Sequence, residues 1–258
     1  MARKWTKFPY PDKSIDRDDA AVKKAWARLH RGDAEPAPKD AAVLAAWTAF
    51  HAGRFADAVE AGLDAGDAGI NAAVKAQVVY ASYLEKSEKA KVTLYEEAAG
   101  WAEARRAKAP KDANAHYLYA YALGRYSQGI SVAKALAQGY GGKIKDALTT
   151  AIKLEPKHAD AHIAYGAYQA EVIDKVGGIV AGVTYGAKKD SAVEHFQKAI
   201  KLHPDSAIAR IEYANGLLLL YGKGKIADAE KLYREAAKIA PADAMERLDV
   251  EHAKAELE

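Results

Sequence analysis

The chain has no cysteine, two methionines and only eight prolines in 258 residues. Without cysteine there are no disulfides, thiolate zinc sites, cysteine nucleophiles or cysteine-linked lipid anchors. No stretch approaches the ~18 consecutive apolar residues of a membrane-spanning helix, so no span is expected. The start is basic (Met1, Ala2, Arg3, Lys4), but no apolar run of secretory length follows. No signal peptide is therefore expected, and a cytoplasmic location is the default. An excess of one charge is also missing: 38 Lys and Arg face 35 Asp and Glu, for a net +3. The signs are interleaved, so no nucleic-acid partner is expected. The densest basic cluster, Arg105, Arg106 and Lys108, falls late in an expected helix, where cations oppose the helix dipole.

Recognised chemistry is sparse as well. No phosphate loop, dinucleotide fingerprint, zinc-protease helix, nucleophile elbow or calcium loop is present. No catalytic residue, cofactor or metal is expected, and the chain is read as a non-enzyme. His158 and His162 lie four apart around Asp160, but a third metal ligand is not identifiable. His116 and His162 hold equivalent places in a repeat, which favours packing.

What the chain has is alanine, 59 residues of it. Alanine is the strongest helix former and lets helices approach closely. Segments ending in proline recur, from Ala147 to Pro156, Ala192 to Pro204 and Ala229 to Pro241, with a fainter copy from Ala98 to Pro110. Two copies share a finer pattern: Ala192, Phe196, Ala199, Pro204 and Ala229, Tyr233, Ala236, Pro241. A small residue and an aromatic four apart share one helical face, and proline then turns the chain. His116, Tyr119, Ala120 and His162, Tyr165, Gly166 and Arg210, Tyr213, Ala214 repeat at matched offsets. These patterns resemble the two helices of the tetratricopeptide repeat (TPR), whose period is ~34 residues. The expected fold class is all-α, a TPR-like superhelix with helical caps. The expected divisions are residues 1–38 as an N-terminal extension and capping helix, 39–241 as the repeat domain, and 242–258 as a C-terminal capping helix. Ala42 to Ala58 reads as a degenerate first repeat and 71–110 as a second. The C-terminal helix is acid-rich, as expected for a cap facing water.

The terminal prolines are spaced by 46, 48 and 37 residues. The two long intervals imply insertions at 127–143 and 172–188, each between the helices of a repeat. Both are glycine-rich and apolar, and each ends near Tyr-Gly (Tyr140-Gly141, Tyr185-Gly186). Such insertions gather on one face of an array. They either pack as an added structural layer or wall a pocket.

The stretches Asn114 to Ala120, Lys143 to Ala147 and Phe196 to Ala199 carry a narrower resemblance. Residues 70–241 look like the TPR-like core of the regulator of microtubule dynamics family. They are similar, less closely, to the T-component TPR lipoproteins of TRAP transporters, whose lipidation cysteine this chain lacks. The first resemblance implies microtubule or lipid contacts; the second implies a cleft for hydrophobic ligands.

In a TPR stack the first helices face the concave groove. That register places Asn114, Tyr117, Tyr121 and Arg125 in the groove from one repeat. Ile163, Ala167 and Glu171 follow from the next, then Ile211, Asn215 and Leu218. The primary expectation is a scaffold that binds a protein or peptide there, with tyrosine and Arg125 as anchors. The alternative is a carrier or sensor of an apolar small molecule or lipid, held between the insertions.

Overall fold

A computed structural model describes residues 4–258. Met1, Ala2 and Arg3 of the basic start lie outside the described residues. Every regular element among the described residues is helical. Helix α1 spans Asp19–Leu29, α2 Ala41–His51, α3 Phe55–Asp64, α4 Ile70–Tyr83, and α5 Glu88–Lys108. Then come α6 Ala113–Gln128, α7 Val132–Ala137, α8 Tyr140–Leu154, α9 Ala159–Val176, and the short α10 Gly178–Val180. Helices α11 Lys189–Leu202, α12 Ala207–Tyr221, α13 Ile226–Ala236 and α14 Ala244–Ala255 complete the chain. Antiparallel pairs α2/α3, α4/α5, α6/α8, α9/α11 and α12/α13 stack in order, as a TPR-like superhelix does. The insertions emerge inside the third and fourth pairs, as α7 and as α10 with the π-turn Ala181–Tyr185.

Repeat boundaries are set by capping residues at equivalent places. Asp112, His158 and Ser206 each accept a hydrogen bond from the third amide of α6, α9 and α12. Each satisfies a helix-end donor that would otherwise lack a partner. His158 does so through Nδ1, while its Nε2 lies 3.0 Å from Asn114 Oδ1. The two contacts select the neutral tautomer with Nε2 protonated. His116 and His162 are also equivalent: their Nε2 atoms reach Pro110 O and Pro156 O, the prolines ending the preceding repeats.

The signature aromatics fill the gaps between helices. Phe196 is fully buried, and its ring stacks on Tyr213 at 5.3 Å. Glycine is required on both helices that clasp it. A Cβ on Gly166 would lie 3.0 Å from the Phe196 ring, and one on Gly216 only 2.5 Å from it.

The array does not run open-ended. Helix α14 packs on α12, on α13 and back on α2. Arg28 of α1 grips Glu246 through two hydrogen bonds of 2.6 and 3.0 Å. Arg17 donates to Ala242 O at 2.7 Å. A buried chain of polar groups runs across the same junction. His51 Nδ1 meets Asp243 at 2.6 Å, His51 Nε2 meets His30 Nε2 at 3.1 Å, and His30 Nδ1 meets Asp33 at 2.9 Å. The histidine pair thus bridges two carboxylates, with a ring Nδ1 against each of them. Burial pushes His30 down to about 4. The acid-rich C-terminal helix therefore departs from the expectation that it faces water. Glu246 and Asp249 are buried, because α14 meets the first helices and turns its acids towards their basic and hydroxyl groups.

Candidate functional cavity

The inner helices enclose a cavity of about 250 Å³, open on one side. Helices α6 and α9 form its main walls, with Tyr117, Tyr121 and Arg125 on one and Ile163, Ala167 and Glu171 on the other. Both insertions reach it. Ile130, Val132 and Leu136 come from the first and Tyr185 from the second, with Val172 and Val176 at the end of α9 beside it. The insertions also touch each other, since a Cβ on Gly141 would lie 2.8 Å from the Tyr185 ring. They frame the space as a rim and do not fill it.

The walls are mostly aliphatic and aromatic. Tyr117 and Tyr121, one turn apart, stack at 5.9 Å with their planes 13° apart. The floor is polar. Lys75 of α4 binds Asp33 at 2.6 Å and lies 3.8 Å from Asp160. Burial pushes Asp160 up to about 6 against the pull of Lys75. Asp249 accepts a 2.5 Å hydrogen bond from Tyr83, yet burial still holds its carboxyl well above the usual range. Arg125 is already engaged: Nη2 donates to Glu212 at 3.1 Å and Nη1 to Gln128 at 3.3 Å. A ligand carboxylate would have to compete with Glu212 for it. Glu171 accepts from Gln128 and is raised by burial.

Six of the ten residues expected in the groove thus line one cavity. The other four lie elsewhere. Asn114 is buried, donating to Asp33 O at 2.9 Å and contacting His158. Ile211 is buried in the cluster joining α12, α13 and α14. Asn215 accepts from the Tyr233 hydroxyl at 2.5 Å, and Leu218 is exposed. Helix α12 instead turns Ile208 and Glu212 to the cavity. On α12, Ile211 is covered by α13 and α14 together, and Asn215 is held by Tyr233 of α13.

The sequence reading did not single out Lys75, Tyr83, Asp160 or Asp249 as lining residues. Lys75 left one readable signal, a lone cation within the otherwise uncharged helix Ile70–Tyr83. Among the described residues no group of three or more His, Asp or Glu is placed to hold a metal. Among them, too, no helix is long and apolar enough to cross a membrane.

No curated protein sequence matches the chain. The fold is similar to that of a thermophilic TPR protein from Thermus thermophilus. The two structures share a TM-score of 0.57 at 16% identity, over 83% of this chain and 97% of that one. A sequence profile described as Regulator of microtubule dynamics protein 1-3 matches residues 71–258. With the TPR-like stack, its internal insertions and a match over most of its length, the chain belongs to the regulator of microtubule dynamics family.

Proposed function

We propose that the chain is a non-enzymatic, cytoplasmic TPR-like binding protein whose concave cavity receives one apolar chain of a small molecule or lipid. The observation that carries this reading is the cavity itself. It is walled by Tyr117, Tyr121, Ile163 and Val172, rimmed by both insertions and floored by an ion cluster. Its volume of about 250 Å³ falls just below the ~300–1,000 Å³ range of ligand pockets. That suits a single chain better than a broad protein surface. The Arg125–Glu212 pair and the buried floor give the ligand a polar end to stop against.

The test is titration of delipidated protein with a fluorescent long-chain fatty acid. Ala167 is half-buried on the cavity wall, so Ala167→Trp puts an indole where the ligand would lie. Displacing about two methylenes at ~0.8 kcal/mol each predicts slightly more than tenfold weaker binding. An unchanged affinity, or no binding by the unaltered protein, defeats the reading.

A second reading keeps the scaffold role usual for TPR folds. Leu218, Leu219 and Tyr221 at the end of α12 and Ile226 at the start of α13 are exposed apolar side chains that suit a peptide. Leu218→Asp should then abolish peptide capture and leave fatty-acid binding intact.

A further inference from the structure

The cavity mouth has a composition unlike the rest of the molecule. Residues 127–145 and 175–189 hold six lysines and no carboxylate. The whole chain carries only +3, so the remaining helices are net negative. Asp146, Asp174 and Asp190 stand at the borders of these segments, and of them Asp174 pairs with a segment lysine, Lys175, at 3.2 Å. Lys134, Lys143 and Lys188 are exposed.

The same segments expose apolar side chains. Ile179 and Val183 are each 85% exposed, and Val180, Val132 and Leu136 about half. They are presented by α10, the π-turn and α7, which rim the cavity. Isolated apolar side chains on a surface are ordinary, but here several fall in two segments whose only charged side chains are lysines. Because the Tyr185 ring abuts Gly141, the two insertions form one continuous face.

We propose that this face docks the protein on an anionic lipid bilayer, with Ile179, Val180 and Val183 entering the interface and the lysines resting on the headgroups. Aliphatic tips ringed by lysine are the composition of a segment that lies in a membrane surface without spanning it. Charge complementarity selects the anionic leaflet. The docked pose would turn the cavity mouth to the lipid, giving the proposed apolar ligand a path that avoids water. The docking face itself is argued from charge and exposure and does not depend on what the cavity holds.

The experiment is co-sedimentation of the full chain with phosphatidylcholine vesicles, with and without phosphatidylserine. The expected result is strong preference for the anionic vesicles, weakening as salt is raised. Lys134→Ala, Lys143→Ala and Lys188→Ala together should weaken that binding on the order of a hundredfold, at about fivefold per lysine. Ile179→Ser with Val183→Ser should also weaken it while leaving fatty-acid titration unchanged, since neither side chain lines the cavity. Both positions are open to solvent, so these variants keep the fold. Equal binding to both vesicle types would overturn the proposal, as would unchanged binding by the Ile179/Val183 variant. Lysine-dependent binding to soluble polyglutamate with vesicles ignored would point to an acidic protein partner and also overturn it. Self-association abolished by Ile179→Ser, with vesicles ignored, would assign the face to a second copy. Failure of fatty-acid binding with vesicle docking intact would retire the cavity reading alone.

Discussion

Lys75→Met tests whether the polar floor is a paired unit or a set of tolerated burials. Lys75 sits mid-helix in α4 with its side chain 5% exposed, and Asp33 is 2% exposed. At 2.6 Å and an effective dielectric of ~20, their gross attraction is about 6 kcal/mol. Much of that is offset by desolvation of both ions, so the pair contributes little net stability. Removing one partner is different. Methionine keeps the volume of the lysine stem but leaves Asp33 with His30 and the Glu35 amide alone. An orphaned buried charge costs about 3–5 kcal/mol. Urea unfolding followed by circular dichroism at pH 7 should show that loss. With ~2–4 °C per kcal/mol for a chain of this size, the melting temperature should fall by roughly 6–20 °C. Adding Asp33→Asn removes the orphaned charge and should restore at least half of the loss. A single-variant loss below about 1 kcal/mol, or a double variant worse than the sum of its parts, would refute the reasoning.

Phe196→Ala should cost about 3–5 kcal/mol by emptying the space between α9 and α12, read in the same unfolding assay. Gly216→Val should cost about 1–3 kcal/mol through overpacking against that ring; a neutral result would mean the helices separate freely. Burial holds His30 and His158 at about 4, below the ~6.5 of an unfolded histidine. Their contribution is therefore fully present above pH 6.5 and is lost as pH falls towards 4. Unfolding series at pH 7 and pH 5 should differ by on the order of 2 kcal/mol for each of them, and His158→Asn should reduce the difference. Asp249 has the opposite sign: its raised value means that ionisation at higher pH costs stability. Asp249→Asn keeps an acceptor for Tyr83 and should be neutral or stabilising at pH 8, with a flatter alkaline limb.

The repeat positions were legible because each is a local matter. A small residue, an aromatic one turn on and a proline specify a second helix and its partner, and Phe196 between Gly166 and Gly216 meets that expectation. The insertions were legible as interruptions of period, but not their packing, which depends on Tyr185 meeting Gly141 across 44 residues of chain. The cavity floor was the least legible. Lys75 contacts Asp33 and Asp160, and Tyr83 contacts Asp249, which is 166 positions away. Nothing periodic connects such partners. In α12 the expected groove residues are engaged elsewhere, Ile211 by α13 and α14 and Asn215 by Tyr233, partners that no repeat spacing announces.

The clasp between the first helices and α14 bears on mechanics. An open helical array behaves like a spring: it stretches, and its end units unravel without disturbing distant ones. Here Arg28–Glu246 and the chain from Asp243 through His51 and His30 to Asp33 join the two ends into a hoop. A hoop cannot widen by small adjustments shared along its length; the clasp must hold or open. The diameter of the central space is thus fixed by groups remote from its rim, and admission of a guest falls to the insertions at the mouth.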